Sequence, residues 1–237
     1  MSKSDLRIDW ATHQAAKFAV EHWHYSCALP VPPLVKVGAW EKGRFIGVII
    51  FSRGATPSLL KPYGLAQDEG CELVRVALRK HVAPVSRIIR LALAFLKSSN
   101  PKLALVVSFA DPAQNHHGGI YQAGNWIYAG TTAASKEYYA PDGKKLHPRM
   151  VKAKGWTTVQ GVKRKTWKPS ECVQVKTPPK HRYLMPLDKK MRKQIELLAQ
   201  PYPKRAGSID GNAPPIQGGD SGSSPTPALH PAKSSND

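Results

Sequence analysis

The stretch that decides the fold is Cys71-Glu-Leu-Val-Arg75-Val-Ala-Leu78-Arg79-Lys-His-Val-Ala-Pro84-Val-Ser86-Arg87. Residues 71–78 alternate in character, as a strand with one buried face does. Pro84 suits a first helical turn, where its fixed φ fits and its missing N–H is no loss. Beyond it Val85, Ile88, Ile89, Ala92, Leu93 and Leu96 form one apolar face at helical spacing, and Asn100-Pro101 ends the helix. An apolar run at 103–109 then reads as a buried strand. Strand, helix and strand in that order predict an α/β domain.

Upstream, residues 5–23 read as a helix. Ala15, Phe18, Ala19 and Trp23 recur at helical spacing, and Thr12 or Asp9 is placed to cap it. The segment His22-Trp-His24-Tyr25-Ser26 follows, and Pro30, Pro32 and Pro33 break the chain. Leu34–Glu41 and Arg44–Ser52, joined by Lys42-Gly43, read as a hairpin. Downstream of the buried strand runs Ser108-Phe-Ala-Asp111-Pro-Ala-Gln-Asn-His-His-Gly-Gly-Ile-Tyr121-Gln-Ala-Gly-Asn125. A carboxylate, two imidazoles, a phenol and an amide crowd the end of a strand, where α/β folds place their chemistry. A strand at 126–129 follows, and beyond 131 the pattern weakens.

Composition separates a domain from a tail. Of 35 Lys and Arg and 16 Asp and Glu, residues 206–237 hold one Lys and three Asp, leaving 34 basic against 13 acidic residues, or +21, in the rest. Such an excess favours a polyanionic partner, nucleic acid first. Residues 144–205 hold 18 of the 35 cations and three acids, with Trp156, Trp167, Tyr183 and Tyr202 interleaved. That stretch is read as a DNA-contacting surface, with Lys163, Arg164 and Lys165 on phosphates. From about 206 the chain turns to Gly, Ser, Pro and Asp, the composition of a disordered tail. The expected organisation is a domain over 1–205 and a tail over 206–237. Three cysteines, Cys27, Cys71 and Cys172, without CxxC spacing suggest a reducing compartment and no thiolate zinc site. No apolar run is long enough to span a membrane, and the N-terminus lacks an apolar signal core, so a cytoplasmic protein is expected.

The predicted order of elements resembles the GNAT acyltransferase fold, with a mixed central sheet flanked by helices. In that fold, 72–78 and the following turn match the cofactor-binding strand and loop. The resemblance implies acetyl-CoA held by Arg75, Val76, Leu78, Arg79, Ser86 and Arg87, with the diphosphate on a helix N-terminus. The usual loop is Gln/Arg-x-x-Gly-x-Gly/Ala; this chain has Arg79-x-x-Val82-x-Pro84, which points to altered cofactor geometry. A closer resemblance lies in an ordered set: His24-Tyr25-Ser26, Glu72-Leu-x-Arg75, Pro84-x-Ser86-Arg87, Ser108-x-Ala-Asp111-Pro-x-Gln and Ile120-Tyr121-Gln-Ala-x-Asn125. Over about residues 20 to 130 it is similar to the phage Mom DNA-modification family.

That resemblance implies an enzyme converting adenine in double-stranded phage DNA to its N6-carbamoylmethyl form, protecting the DNA from host restriction. It implies acetyl-CoA as cofactor and an iron requirement, with His24, Tyr25 and Asp111 as candidate ligands of types that suit non-haem iron. His116, His117 and His147 are the alternatives. Read alone, His24 is a hydrogen-bonded structural histidine and Asp111 a turn aspartate before Pro112, and only the resemblance reverses both readings. The resemblance makes Tyr121, Asp111, His24, Tyr25 and Arg75 the catalytic candidates, with Arg75 pairing Asp111 or a substrate carbonyl. Asn125 is the candidate adenine reader through its amide, or else a packed helix-end residue. Two other functions fit the same features: an ordinary N-acetyltransferase acting on another amine, and a basic DNA-binding protein without activity.

Overall fold

The computed structural model describes residues 5–54, 56–146, 150–159 and 161–204. The proposed tail at 206–237 and His147 lie outside them. The elements run β1 (Leu6–Trp10), α1 (His13–Trp23), β2 (Leu34–Glu41), β3 (Arg44–Ser52), β4 (Gly70–Leu78), α2 (Val85–Ser99), β5 (Leu105–Ala110), α3 (Gly119–Gln122) and β6 (Ile127–Thr131). Then come β7 (Ser135–Tyr139), β8 (Lys145–Leu146), β9 (Trp156–Val159), β10 (Val162–Lys165), β11 (Val173–Thr177), β12 (His181–Pro186) and α4 (Lys189–Ile195).

Seven strands form the central sheet in the order β1-β2-β3-β4-β5-β12-β6. It is antiparallel except where β4 and β5 run parallel. Alternation along the strands divides the core between two faces. Ile49, Phe51, Val106 and Tyr183 pack with the predicted α2 face of Ile88, Ile89, Ala92, Leu93 and Leu96. Val48 and Ile50 pack on Ala16, Ala19 and Val20 of α1, and Leu105, Val107 and Leu184 on Met191 and Ile195 of α4. The fold is thus the expected GNAT-like α/β architecture, a mixed sheet covered by helices on both faces.

The parallel pairing makes the opening that matters. It runs from Gly70↔Leu105 to Leu73↔Ser108 and stops there. β4 continues to Leu78 and β5 to Ala110 without pairing with each other, β4 staying on β3 and β5 on β12, so the two strands part. Beyond the fork, the edges that the two strands turn toward each other face a cleft rather than a ladder.

Two expectations are corrected. The predicted helix over 5–23 is an edge strand followed by a helix. β1 pairs antiparallel with β2 from Leu6↔Glu41 to Trp10↔Val37, and α1 begins only after Thr12, whose hydroxyl caps it by accepting from Ala15 N–H at 3.1 Å. Tertiary pairing overrides local periodicity in a segment that short. Nor is the basic stretch 144–205 all surface. β12 lies between β5 and β6, with Tyr183 and Leu184 fully buried. The part raised outside the central sheet lies within 132–180. It carries a three-stranded sheet ordered β11-β7-β8 and the separate β9–β10 ribbon.

After α4 the chain returns across β6 and α3. Gln200 N–H donates to Tyr128 O at 2.8 Å, Tyr202 O–H to Trp126 O at 2.6 Å, and Gln122 Nε2 to Pro203 O at 3.3 Å. At about 1 kcal/mol per bond, this strap is worth roughly 2–4 kcal/mol. A chain ending after Lys204 should keep the full melting temperature and activity. One ending after Leu198 should melt several degrees lower. Equal melting temperatures for the two would remove the strap's role.

Candidate active site

Ser108, at the last level where β5 pairs with β4, stands at the fork. Its hydroxyl lies 2.8 Å from both Leu73 O and the Tyr121 phenol oxygen. A carbonyl can only accept, so the single Ser108 proton goes to Leu73, and the Tyr121 O–H is left to donate to Ser108 Oγ. Tyr121 sits on the one-turn helix α3, 8% exposed. Burial pushes its phenol up to about 12, against the lowering effect of the Ser108 contact. At neutral pH it is an O–H group, not a phenolate. Gly118 makes this placement possible. Its φ is +86°, and a Cβ there would lie 2.2 Å from the Tyr183 ring.

His24 follows α1, and its ring geometry is fixed by Ser26. Ser26 N–H donates to His24 Nδ1 at 3.1 Å, and Ser26 Oγ lies 2.8 Å from the same nitrogen. A backbone N–H is only a donor, so Nδ1 is an acceptor and the ring proton is on Nε2. Burial, then the Arg75 charge, then His116 lower its pKa to about 4, so the ring is neutral. Arg75 Nε donates to Ser26 Oγ at 3.1 Å, and its guanidinium also donates to Val74 O at 2.7 Å. Tyr25, 55% exposed, has its ring 4.2 Å from that of His24 and 5.2 Å from that of His116.

These residues face one cleft of about 590 Å³. His24, Tyr25 and Tyr121 are among its polar groups, with His81, Asn115, His116 and His117, and Val76, Leu78, Val85 and Ile120 among its apolar walls. Residues far apart in sequence meet here because β4 and β5 part. Asp111 stands beside it, at the end of β5, but does not pair with Arg75 as expected. Its partner is Lys180, with Nζ 2.9 Å from Oδ2, while Ala113 N–H donates to Oδ1 at 3.0 Å. Burial would raise its pKa, but the hydrogen bond and charge of Lys180, then Ala113 N–H and His116, hold the carboxyl below its ordinary value. Sequence reading did not single out Lys180; it lies in a basic run where no local signal marks it. It closes the neck of the 132–180 insertion, exchanging hydrogen bonds with Thr132. Lys180→Met should raise the Asp111 pKa, followed by NMR titration of the carboxyl. An unchanged value would mean the pair does not form in solution.

Other candidates lie elsewhere. Ser86, Arg87 and Asn125 line a second cavity of about 550 Å³ between α2, the turn at 123–126 and the end of β12, shared with Arg90. Asn125 is therefore not on the cleft that holds Tyr121 and His24. Arg79 lies over the Trp23 ring, 5.7 Å from its centroid. Lys163, Arg164 and Lys165 are exposed on β10.

The iron ligand set does not fit. His24 Nδ1 accepts from a backbone N–H and Nε2 carries the proton, so neither ring nitrogen offers a free lone pair in this arrangement. The Asp111 charge is already paired with Lys180. Among the described residues no three His, Cys, Asp or Glu side chains are grouped to hold an ion.

Comparison with known proteins supports the family that the sequence resembles. The chain is 26% identical over 207 residues to the methylcarbamoylase Mom of Escherichia phage Mu, covering 84% of each chain. Among solved structures it resembles an aminoglycoside acetyltransferase in complex with coenzyme A, at 10% identity and a TM-score of 0.46, covering 81% of this chain and 99% of that one. It also resembles an aminoglycoside N-acetyltransferase from Legionella pneumophila, at 9% identity and a TM-score of 0.43, covering 82% and 98%. The profile of the Mom protein family matches residues 5–204, every element that builds the cleft, and the chain belongs to that family.

Proposed function

We propose that this protein is a transferase that modifies adenine at N6 in double-stranded DNA, giving the N6-carbamoylmethyl base, and that it works on phage DNA in the bacterial cytoplasm to protect it from restriction. The observation that carries this reading is the family match across the whole cleft. It is supported by the phage Mu relative, whose name is that of a methylcarbamoylase. The donor is proposed to be acetyl-CoA, its acyl arm lying along Val76, Leu78 and Val85.

Adenine N6 is a poor nucleophile because its lone pair is conjugated into the ring, and in a duplex it is stacked out of reach. The base therefore has to leave the stack, at a cost of a few kcal/mol. In this reading Tyr25, exposed at the cleft rim, stacks on the extruded base. His24 Nε2–H donates to an oxygen of the transferred group, and Tyr121 O–H protonates the leaving group. Asp111, held ionised by Lys180, orients the amine. Acyl transfer breaks the donor's C–S bond, Tyr121 O–H protonates the thiolate and the proton released from N6 replaces it, which leaves an N6-acetyl group. The carbamoylmethyl product requires in addition an amine co-substrate as source of the amide nitrogen and a two-electron oxidant as co-reactant.

The insertion 132–180 springs from the sheet end beside Asp111, and Lys180 at its neck pairs with that residue. On the β9–β10 ribbon, Lys163 Nζ lies 4.5 Å and Lys154 Nζ 5.7 Å from the Trp156 ring centroid. A two-stranded ribbon of this kind fits a DNA groove. Replacing Lys163, Arg164 and Lys165 together by Ala should flatten the log–log salt dependence of DNA affinity by about 2.7, at about 0.9 per lost phosphate contact. An unchanged slope would move the footprint off β10. The function itself is tested by mass spectrometry of nucleosides from host DNA after expression of the chain. An acetylated amine elsewhere, with unmodified DNA, would instead make it an ordinary N-acetyltransferase.

A further inference from the structure

The loop Arg79-Lys-His-Val-Ala-Pro84 joins β4 to α2 at the mouth of the cleft. In a GNAT-like site its backbone N–H groups would cradle the donor's diphosphate. Here two of them already hold an anion. Glu41, the last residue of β2, is 8% exposed, and its carboxylate accepts from Val82 N–H and from Ala83 N–H, both at 2.8 Å. The next residue, Pro84, has no N–H to offer. The Val82 N–H bond, opposed by burial and reinforced by Ala83 N–H, His81 and Lys42, holds the Glu41 carboxyl below its ordinary range, so it is charged at neutral pH.

We propose that Glu41 fills the anion cradle of the β4–α2 loop, so that this loop does not hold the diphosphate of a nucleotide-borne acyl donor. The two N–H groups are satisfied by a charge that the fold itself supplies. A diphosphate arriving there would displace one carboxylate from two hydrogen bonds or lie against it, like charge on like charge. Recognition of the donor then rests on its acyl group and arm in the cleft. The missing loop glycines fit this arrangement, because no ligand backbone has to approach closely at Val82 or Pro84. The occupancy of the cradle is independent of the transferase reading; only the identity of the donor rests on it.

The test is residue-resolved NMR on the full chain, following the Val82 and Ala83 amides. In the wild-type protein neither acetyl-CoA nor inorganic pyrophosphate should shift them, while acetyl-CoA shifts resonances around Tyr121 and Val76. In Glu41→Gln, shown to be folded by its thermal transition, pyrophosphate should shift both amides and bind there about tenfold more tightly, the effect of removing one like charge. Shifts of Val82 and Ala83 in the wild-type protein on adding either ligand would overturn the proposal. So would a folded Glu41→Gln whose two amides stay indifferent to pyrophosphate. If acetyl-CoA perturbs nothing in the cleft, the donor reading fails, and the pyrophosphate results still decide the role of Glu41.

Discussion

Tyr121→Phe should lower the rate of DNA modification about 10²–10⁴-fold, the range of a lost general acid, while the melting temperature changes little. The phenol is buried and held near 12, so the wild-type group is protonated throughout the neutral range. Phenylalanine keeps the ring contacts with Trp126 and Tyr183, whose centroids lie 5.0 and 5.1 Å away. Ser108 keeps its bond to Leu73 O. Only the O–H is lost, at about 1 kcal/mol of stability. The measurement is the rate at which modified deoxyadenosine appears in a defined duplex. A Tyr121→Phe enzyme with wild-type turnover would reduce Tyr121 to a packing residue.

His24→Ala should be as damaging to activity and should leave a specific mark on stability. The folded pKa of about 4 lies below the ordinary 6.5. The neutral ring therefore contributes stability fully above pH 6.5, and that contribution is lost as the pH falls toward 4 and the ring must charge. Wild-type melting temperature should drop between those limits by more than that of His24→Ala. Parallel curves would mean that His24 is not held neutral by burial and the Arg75 charge. Ser26→Ala separates positioning from chemistry. It removes the Oγ contacts to His24 Nδ1 and Arg75 Nε, while the backbone N–H that sets the tautomer stays, so the fold should be kept and activity should fall far less than in His24→Ala.

Much of this site was legible in the sequence because its chemistry is local. Asp111 follows a run too apolar to be anything but a buried strand. Tyr121 follows a Gly-Gly pair, and one of those glycines, Gly118, is required by the Tyr183 ring. The helix over 85–99 announced itself by its apolar face. What periodicity could not give was pairing at a distance. β12 is a six-residue strand preceded by Lys180 and carrying Arg182, fifty residues after its neighbour β6, and its place in the sheet is set by Val107 and Ile127 on either side. β1 was hidden for a related reason: five residues of edge strand run into a capped helix, and only β2 makes them a strand. Lys180 and Glu41 were missed because each is an ordinary charged residue in sequence. Their partners, Asp111 and the 82–83 amides, come to them only in the folded chain.

The central claim is that the cleft at the β4–β5 fork modifies adenine in DNA. The most direct measurement is mass spectrometry of nucleosides from the DNA of a bacterial host expressing this chain, beside the same host expressing Tyr121→Phe. The account predicts a deoxyadenosine carrying a carbamoylmethyl group at N6 in the first DNA and its near absence in the second. Unmodified deoxyadenosine in both, with the wild-type protein folded and abundant, would contradict it.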